Sequence, residues 1–263
     1  MRPSRLWLVV ALSFCLAGIT LAQSASTSSA QAVSLLQNAY SALVGKSAVS
    51  DVTLTGTVER TVGSDDETGS VTYKAVLGSN RLDLSFSSGT LSEIRSTTVT
   101  GVSGSWVDSD SVSHPMAYQN VLTDPGWFPT FTIGNILSAS NAVLTYVGPE
   151  TRNGVSVVHI SASEQLASPN TPNAALLQHL TQVDIFLDPS SMLPVSFAFS
   201  IHPENNALTD IPCEIRYADY QNIAGHLIPL HVQKSVNSTL VLDLQFQNAS
   251  VNAGITASQI GAQ

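Results

Sequence analysis

The residues that could do chemistry are spread thinly along this chain. Six histidines stand at positions 114, 159, 179, 202, 226 and 231, and no two have the spacing of metal ligands on one helix. Neither a His-Glu-x-x-His nor a Cys-x-x-Cys motif occurs. His226 and His231 are five residues apart in one predicted strand, so they should point to opposite faces. The sequence therefore predicts no metal site and no cofactor.

Serine and carboxylate patterns give equally little support for catalysis. The segment Gly101-Val-Ser-Gly-Ser105 comes nearest to a nucleophile elbow, but its glycine is one position early and no strand-to-helix turn follows. We interpret it as a β-turn. Glycosidases use two carboxylates, but the acidic residues at 65–67 and at 108 and 110 lie in predicted loops. Asp188 precedes Pro189 and is predicted to form a turn. We predict no catalytic residue, and a hydrolase is the third-ranked alternative.

The N-terminus has the layout of a secretory signal peptide. Arg2 and Arg5 precede an apolar run of about 16 residues, and Ala22 closes it. This run is shorter than the roughly 20 residues needed to span a bilayer. We therefore expect cleavage after Ala22, a periplasmic or secreted protein and no permanent membrane anchor. Two alternatives are a single membrane anchor and a lipoprotein anchor at Cys15, although Phe14 stands where such a site wants a small residue.

The charge balance excludes some partners. The chain carries 10 basic and 19 acidic residues, a net charge of −9. Residues 1–22 contain two arginines and no acid, so their removal would leave 8 basic and 19 acidic residues, a net charge of −11. Nucleic acids and anionic membrane surfaces require basic patches. We therefore expect no nucleic-acid partner.

Cys213 would be the only cysteine of the mature chain. It falls in phase with Ile211, Ile215 and Tyr217 of a predicted strand, which is typical of a small buried hydrophobic residue. A reactive thiol would require an electropositive, exposed setting. We expect a structural role.

Most of the chain is predicted to be β-structure after one helix. Residues 23–29 are interpreted as a flexible lead, and residues 30–263 as one domain. Apolar residues three and four apart predict a helix over Ala30–Val44 that ends at Gly45. Residues 63–69 are predicted to be a hairpin loop, and Asn153-Gly154 a two-residue hairpin turn. The expected strands form a run of about five and a run of about seven: 52–59, 70–77, 81–86, 91–100, 104–108, 142–147, 155–161, 181–187, 193–201, 211–220, 227–236 and 239–251.

Between the two runs of strands the pattern changes. Residues 116–122 and 131–137 are apolar without alternation, which predicts one or two short helices across the sheet, and residues 166–180 read as a loop with a short helix. No glycine-rich linker separates the halves, which favours one domain over two. A sheet with one apolar face must cover that face or fill it with ligand. The candidate cover residues are Trp127, Phe128, Phe131, Ile133, Ile136 and Leu137. They either plug the core or line a ligand cavity.

Several phrases of the sequence together resemble a known family. They are the helix Ala-x-x-Leu-Leu-x-x-Ala-Tyr at 32–40, the strand opening Val52-Thr-Leu-Thr-Gly-Thr-Val58, and Val183-Asp-Ile-Phe-Leu-Asp-Pro189 followed by Leu193-Pro194. Tyr217, Tyr220, Gly225 and Ile228-Pro229 complete the pattern. Over residues 30–251 the chain resembles the periplasmic outer-membrane lipoprotein carriers and their lipoprotein-sorting relatives.

The resemblance implies a mainly β fold with a few helices. Its core would be a single curved antiparallel sheet, a half-barrel of about 11–12 strands, covered on its concave face by short helices. It also implies an apolar cavity for acyl chains and an arginine that contacts the lid, for which Arg60, Arg81 and Arg95 are candidates. The Ser/Thr-rich strands and the long loop over 166–180 depart from the family pattern.

Two functions follow as expectations. The first is an exported carrier that binds a lipid or the acyl chains of a lipoprotein. The second is a non-catalytic interaction domain of the cell envelope, with a filled core and protein partners.

Overall fold

A computed structural model describes residues 27–98, 101–166 and 171–261. The predicted signal peptide, Cys15 and most of the predicted lead lie outside the described residues. Ser28 and Ser29, at the end of that lead, are hydrogen-bonded to residues 142 and 144, so this end of the lead is held in place. No helix of the described residues is long and apolar enough to cross a membrane.

The first helix, α1, spans Ala30–Val44, as its apolar spacing predicts. The Ser29 hydroxyl accepts a hydrogen bond from the Ala32 amide at 3.4 Å, which caps the first turn. Gly45 ends the helix with a φ of 62°, a conformation that suits glycine. The buried face carries Ala32, Leu36, Ala39 and Leu43.

Thirteen strands follow in the part of the chain that the structure describes, all in one antiparallel sheet. Their bounds are β1 Asp51–Val62, β2 Asp65–Val76, β3 Ser79–Phe86, β4 Gly89–Thr98, β5 Gly101–Val107, β6 Ser113–Pro115, β7 Ala142–Arg152, β8 Val155–Glu164, β9 Val183–Leu187, β10 Pro194–Ile201, β11 Ile211–Ile223, β12 His226–Val236 and β13 Thr239–Val251. The order is β6-β5-β4-β3-β2-β1-β13-β12-β11-β10-β9-β8-β7, and the sheet is not closed. The fold class predicted from the sequence is confirmed, with β6 as the strand that the sequence did not predict.

Each half of the sheet is a meander, and the pairing of β1 with β13 joins the two halves. We call β1–β6 the first arm and β7–β13 the second arm. The described residues also form α2 Tyr118–Val121, α3 Pro129–Ser138, α4 Ala174–Leu180 and a 3₁₀ helix, Ala257–Ile260. The sequence predicts one or two short helices between the runs of strands, and the structure has two, α2 and α3. They lie in the connection between the arms.

Two loop predictions are wrong. The acidic residues predicted to lie in a hairpin loop begin β2, because each has a partner opposite on β1. Arg60 pairs with Glu67 at 3.2 Å and the Thr61 hydroxyl donates to Asp66 at 2.8 Å, leaving only Gly63 and Ser64 in the turn. The segment interpreted as a β-turn is β5, paired along its length with β4.

Gly104, within β5, lies close against the chain that follows the strand. A Cβ atom at this position would lie 3.2 Å from the Met116 sulfur and from a Val121 methyl group. The Met116 amide also donates to the Gly104 carbonyl at 2.8 Å. The glycine therefore lets the connection between the arms pass close against the strand.

The hydrophobic core lies between the helices and one face of the sheet. It includes the buried face of α1, Phe128 and Ile133 beside α1 and alternate residues of the central strands. Cys213 is buried in it, as predicted, and burial raises the pKa of its thiol to about 11. The residue is therefore a small apolar filler with a poorly reactive thiol.

Candidate functional site

A cavity of about 370 Å³ lies between α3 and the two arms of the sheet. Its walls come from β2–β5 on one side and from β7–β9 on the other, although these strands stand at opposite ends of the sheet order. The sheet must therefore curl to bring its two arms together. A volume of this size lies within the roughly 300–1,000 Å³ of small-molecule sites.

The cover of this cavity is the segment 116–138, which contains α2 and α3 and which we call the cover segment. Five of its apolar side chains line the cavity: Val121, Leu122, Phe128, Phe131 and Ile136. Ala75, Val76, Val102, Ala162 and Val183 supply apolar surface from the strands.

The six cover residues chosen from the sequence separate into two groups. Phe128, Phe131 and Ile136 line the cavity. Trp127 and Ile133 are buried in the core, and Leu137 is partly buried against it. The cover segment thus plugs part of the core and lines the cavity with the rest. Ligand contact by these residues stays a prediction.

Arg95 is the arginine that holds the cover segment. Its Nη1 atom donates to the carbonyl oxygens of Asn120 at 2.7 Å and Thr123 at 3.0 Å. Its Nε atom donates to Glu93 at 2.8 Å. Of the other two candidate arginines, Arg60 pairs with Glu67 of the neighbouring strand and Arg81 pairs with Asp83 of its own strand.

The cover segment is tied to the second arm as well. The Asn120 side-chain amide donates to the His202 carbonyl at 2.7 Å, and its oxygen accepts from the His202 amide at 2.8 Å. The Thr123 hydroxyl donates to the Leu180 carbonyl at 2.6 Å. Together with Arg95, these bonds fix the segment to both arms at once.

A small ionic group lies under the cover. Burial acts to raise the pKa of Glu93, but the positive charges of Arg95 and Lys234 outweigh it and hold that pKa below its usual value. The Trp127 indole nitrogen donates to Glu93 at 3.5 Å, and the Lys234 ammonium lies 5.4 Å from the centre of the indole ring. These contacts fix Trp127 in place by charge as well as by packing.

Asp124 brings a carboxyl group to the wall of the cavity. Burial raises its pKa, and the hydrogen bond from the Gly126 amide at 2.7 Å acts in the opposite direction. Gly126 itself accepts a hydrogen bond from the Tyr217 hydroxyl and has a φ of 76°. A Cβ atom here would lie 2.8 Å from the Phe197 ring, so only glycine fits.

The cavity wall is polar in places. Asn80 lines it with a buried side-chain oxygen that has no hydrogen-bond partner among the described residues, and the Ser79 and Ser96 hydroxyls meet beside it at 3.2 Å. The cavity can therefore contact the apolar chains of a ligand through the cover segment, and the Asn80 oxygen of β3 can accept a hydrogen bond from a ligand. No pattern in the sequence indicated this polar wall, because serines in strands ordinarily face solvent.

The structure also assembles a group that sequence spacing did not indicate. His179 of α4, His202 after β10 and Asp210 before β11 each place one potential ligand atom within 4.8 Å of the others. They come from three separate places in the chain, so no local motif could show them. The expectation of no metal was based on local spacing alone.

Comparison with known proteins shows the fold. No family model matches the sequence, and no curated protein matches it. A domain described as an outer membrane lipoprotein-sorting protein from Vibrio parahaemolyticus shares 11% identity, with a TM-score of 0.55 over 88% of this chain and 96% of that one. A LolA superfamily protein from Nitrosomonas europaea shares 11% identity, with a TM-score of 0.55 over 87% and 96%.

A DUF1329 family protein from Desulfovibrio piger is similar in the same way, with 7% identity and a TM-score of 0.58 over 88% of this chain and 95% of that one. At such identities the likeness establishes the shared fold. The resemblance inferred from the sequence is confirmed at that level.

Proposed function

We propose that this protein is an exported, non-catalytic carrier that holds a lipid or the acyl chains of a lipoprotein in the cavity beneath the cover segment. The observation that carries the proposal is the cavity itself, with apolar walls from α3 and from both arms of the sheet. The fold shared with a lipoprotein-sorting domain supports it. Affinity would come from apolar burial, at about 0.8 kcal/mol per methylene group.

The bonds of the cover segment suit such a role. Arg95 and Asn120 hold α2 to the two arms through hydrogen bonds to backbone groups, which can break and reform without loss of the core. Ile133 of α3 is fully buried in the core and anchors the cover segment there. A ligand could therefore enter when α2 lifts.

Filling the cavity tests the proposal. We expect Ile136→Trp to occupy space that an acyl chain would use, since Ile136 lines the cavity from α3. Excluding two methylene groups costs about 1.6 kcal/mol, so affinity for a fluorescent fatty acid should fall at least about tenfold. Val155→Trp is the matched control, because Val155 is 46% exposed at the end of a hairpin. It should bind as the unmodified protein does.

Native mass spectrometry gives the second measurement. Protein purified from membranes should show a co-bound lipid, and Ile136→Trp protein should show less of it. A clean apo mass together with no uptake of the fluorescent fatty acid would contradict the proposal. That outcome would favour a protein-interaction domain of the cell envelope.

A further inference from the structure

We propose that His179, His202 and Asp210 form a zinc-binding site that joins α4 to the loop between β10 and β11. The Nε2 atom of His179 lies 3.0 Å from an Asp210 carboxylate oxygen, and the Nδ1 atom of His202 lies 3.5 Å from the same oxygen. The two imidazole rings are 5.8 Å apart, centre to centre. The three side chains thus converge on one point.

The mixture of side chains favours a late first-row metal ion. Imidazole nitrogens suit zinc and its neighbours, whereas magnesium and calcium prefer sites made of oxygen atoms alone. Two histidines and one carboxylate leave room for water in a fourth position, an arrangement that zinc accepts. The group therefore selects zinc over magnesium.

His202 is the fixed member of the group. It is 4% exposed, and its backbone is bonded in both directions to the Asn120 side chain. The Nδ1 atom, the ring nitrogen that faces Asp210, also lies 3.2 Å from the Thr209 carbonyl, and Nε2 is buried with no hydrogen-bond partner among the described residues. In the neutral tautomer that carries its proton on Nε2, Nδ1 has a free lone pair on the side of Asp210, which is the state in which imidazole binds metals.

The other two members are free to adjust. The side chains of His179 and Asp210 are 40% and 45% exposed, so a cation can reach them from solvent. They also line a second, polar pocket of about 650 Å³ on the surface of the second arm. A short rotation of either side chain would bring its ligand atom to the roughly 2.0–2.2 Å that zinc requires.

The position of the group gives the metal a structural consequence. His179 is adjacent to Leu180, whose carbonyl accepts a hydrogen bond from the Thr123 hydroxyl. The His202 carbonyl accepts a hydrogen bond from the Asn120 side chain. Bound zinc would therefore fix the two elements on which the cover segment rests. This inference does not depend on the proposed ligand of the cavity, because it concerns the protein with the cavity empty.

Zinc titration of the tag-free protein without residues 1–22 tests the site. Zinc chloride should bind with 1:1 stoichiometry in calorimetry, and excess magnesium chloride should not compete. His179→Ala and Asp210→Asn should each weaken binding at least about tenfold. Both side chains are largely exposed, so these variants should fold. His114→Ala is the matched control, since His114 forms a half-buried pair with Asp108 at 2.9 Å and belongs to no group of three possible metal ligands among the described residues. It should retain full affinity.

Two further measurements distinguish a specific zinc site from nonspecific binding at the surface. At about 100-fold excess over the dissociation constant, zinc should raise the Tm by about 5 °C or more, and this rise should vanish in His179→Ala. Amide exchange in residues 117–124 should slow when zinc is added. Equal zinc affinity in His179→Ala, Asp210→Asn and the unmodified protein would overturn the proposal, as would the absence of saturable binding.

Discussion

A single side chain can stabilise a turn in this protein, and Asp188 is an example. Its carboxylate accepts hydrogen bonds from the amides of Ser190 at 2.9 Å and Ser191 at 2.7 Å. The Ser190 hydroxyl and then the Ser191 amide lower the pKa of this carboxyl to about 2. The turn role predicted from Asp188-Pro189 is confirmed, and no catalytic role is needed to explain this acid.

Replacement of Asp188 should show how much this turn contributes to the free energy of unfolding. We expect Asp188→Ala to lower the free energy of unfolding by about 1 kcal/mol at pH 7, because two turn amides lose their acceptor. The pKa is lower in the folded than in the unfolded state, so the ionised group stabilises the fold above about pH 4. That contribution is lost as pH falls through about 2. Urea unfolding at several pH values measures it.

The control for this experiment is Asp110→Ala, which removes an exposed acid from another loop. It should leave stability within about 0.5 kcal/mol of the unmodified protein. A difference between Asp188→Ala and the unmodified protein that did not shrink at low pH would contradict the assignment to the carboxylate.

Among the elements, the cover segment is held by contacts from distant parts of the chain. Its helices are short, and α2 has no side-chain cap. Isolated helices of this length are unstable in water. Arg95 from β4 and Asn120 paired with His202 supply the bonds that hold it. The element therefore exists because the two arms meet beneath it.

Loss of the Arg95 contacts should loosen this element selectively. We expect Arg95→Met to speed amide exchange in residues 117–124, because two carbonyl oxygens lose their donor. Hydrogen exchange with mass spectrometry measures it. Arg60→Met is the matched control, since Arg60 pairs with Glu67 and lies over the Phe86 ring, both on the first arm. Equal exchange in both variants would show that Arg95 does not hold the cover.

At the scale of the whole molecule, one strand pair makes the two meanders a single sheet. β1 pairs with β13 although they lie near opposite ends of the described chain, and Asp51 accepts hydrogen bonds from the Ala253 and Gly254 amides beside them. Leu244 of β13 lies opposite Val58 and Val232, and all three are buried. This seam is where the arms support each other.

A void created by mutation between β1 and β13 should destabilise both arms together. We expect Leu244→Ala to lower the free energy of unfolding by about 2–5 kcal/mol, as for other buried leucines. Leu240→Ala is the matched control in the same strand, because Leu240 is 40% exposed, and its cost should be about 0.5 kcal/mol or less. Tryptophan fluorescence and circular dichroism should report one coincident transition. Separate transitions in Leu244→Ala would show that the arms unfold independently.

The sequence by itself determined most local structure, because local structure depends on near neighbours. The apolar spacing placed α1 to the residue, and Asn153-Gly154 placed the turn between β7 and β8, where both residues have a positive φ. Alternation predicted twelve of the strands. It missed β6, which has only three residues, and the start of β2, where cross-strand pairing overrides the loop character of acidic residues.

Only the tertiary structure decided what the protein brings together. Arg95 could not be separated from Arg60 and Arg81 in the sequence, because its partners are carbonyl oxygens about 25 residues away that any residue can supply. The sequence could not separate the cover residues that fill the core from those that line the cavity, since that depends on how far the sheet curls. His179, His202 and Asp210 likewise meet only because α4 packs beside the loop between β10 and β11. Such groups depend on long-range geometry, which sequence spacing does not encode.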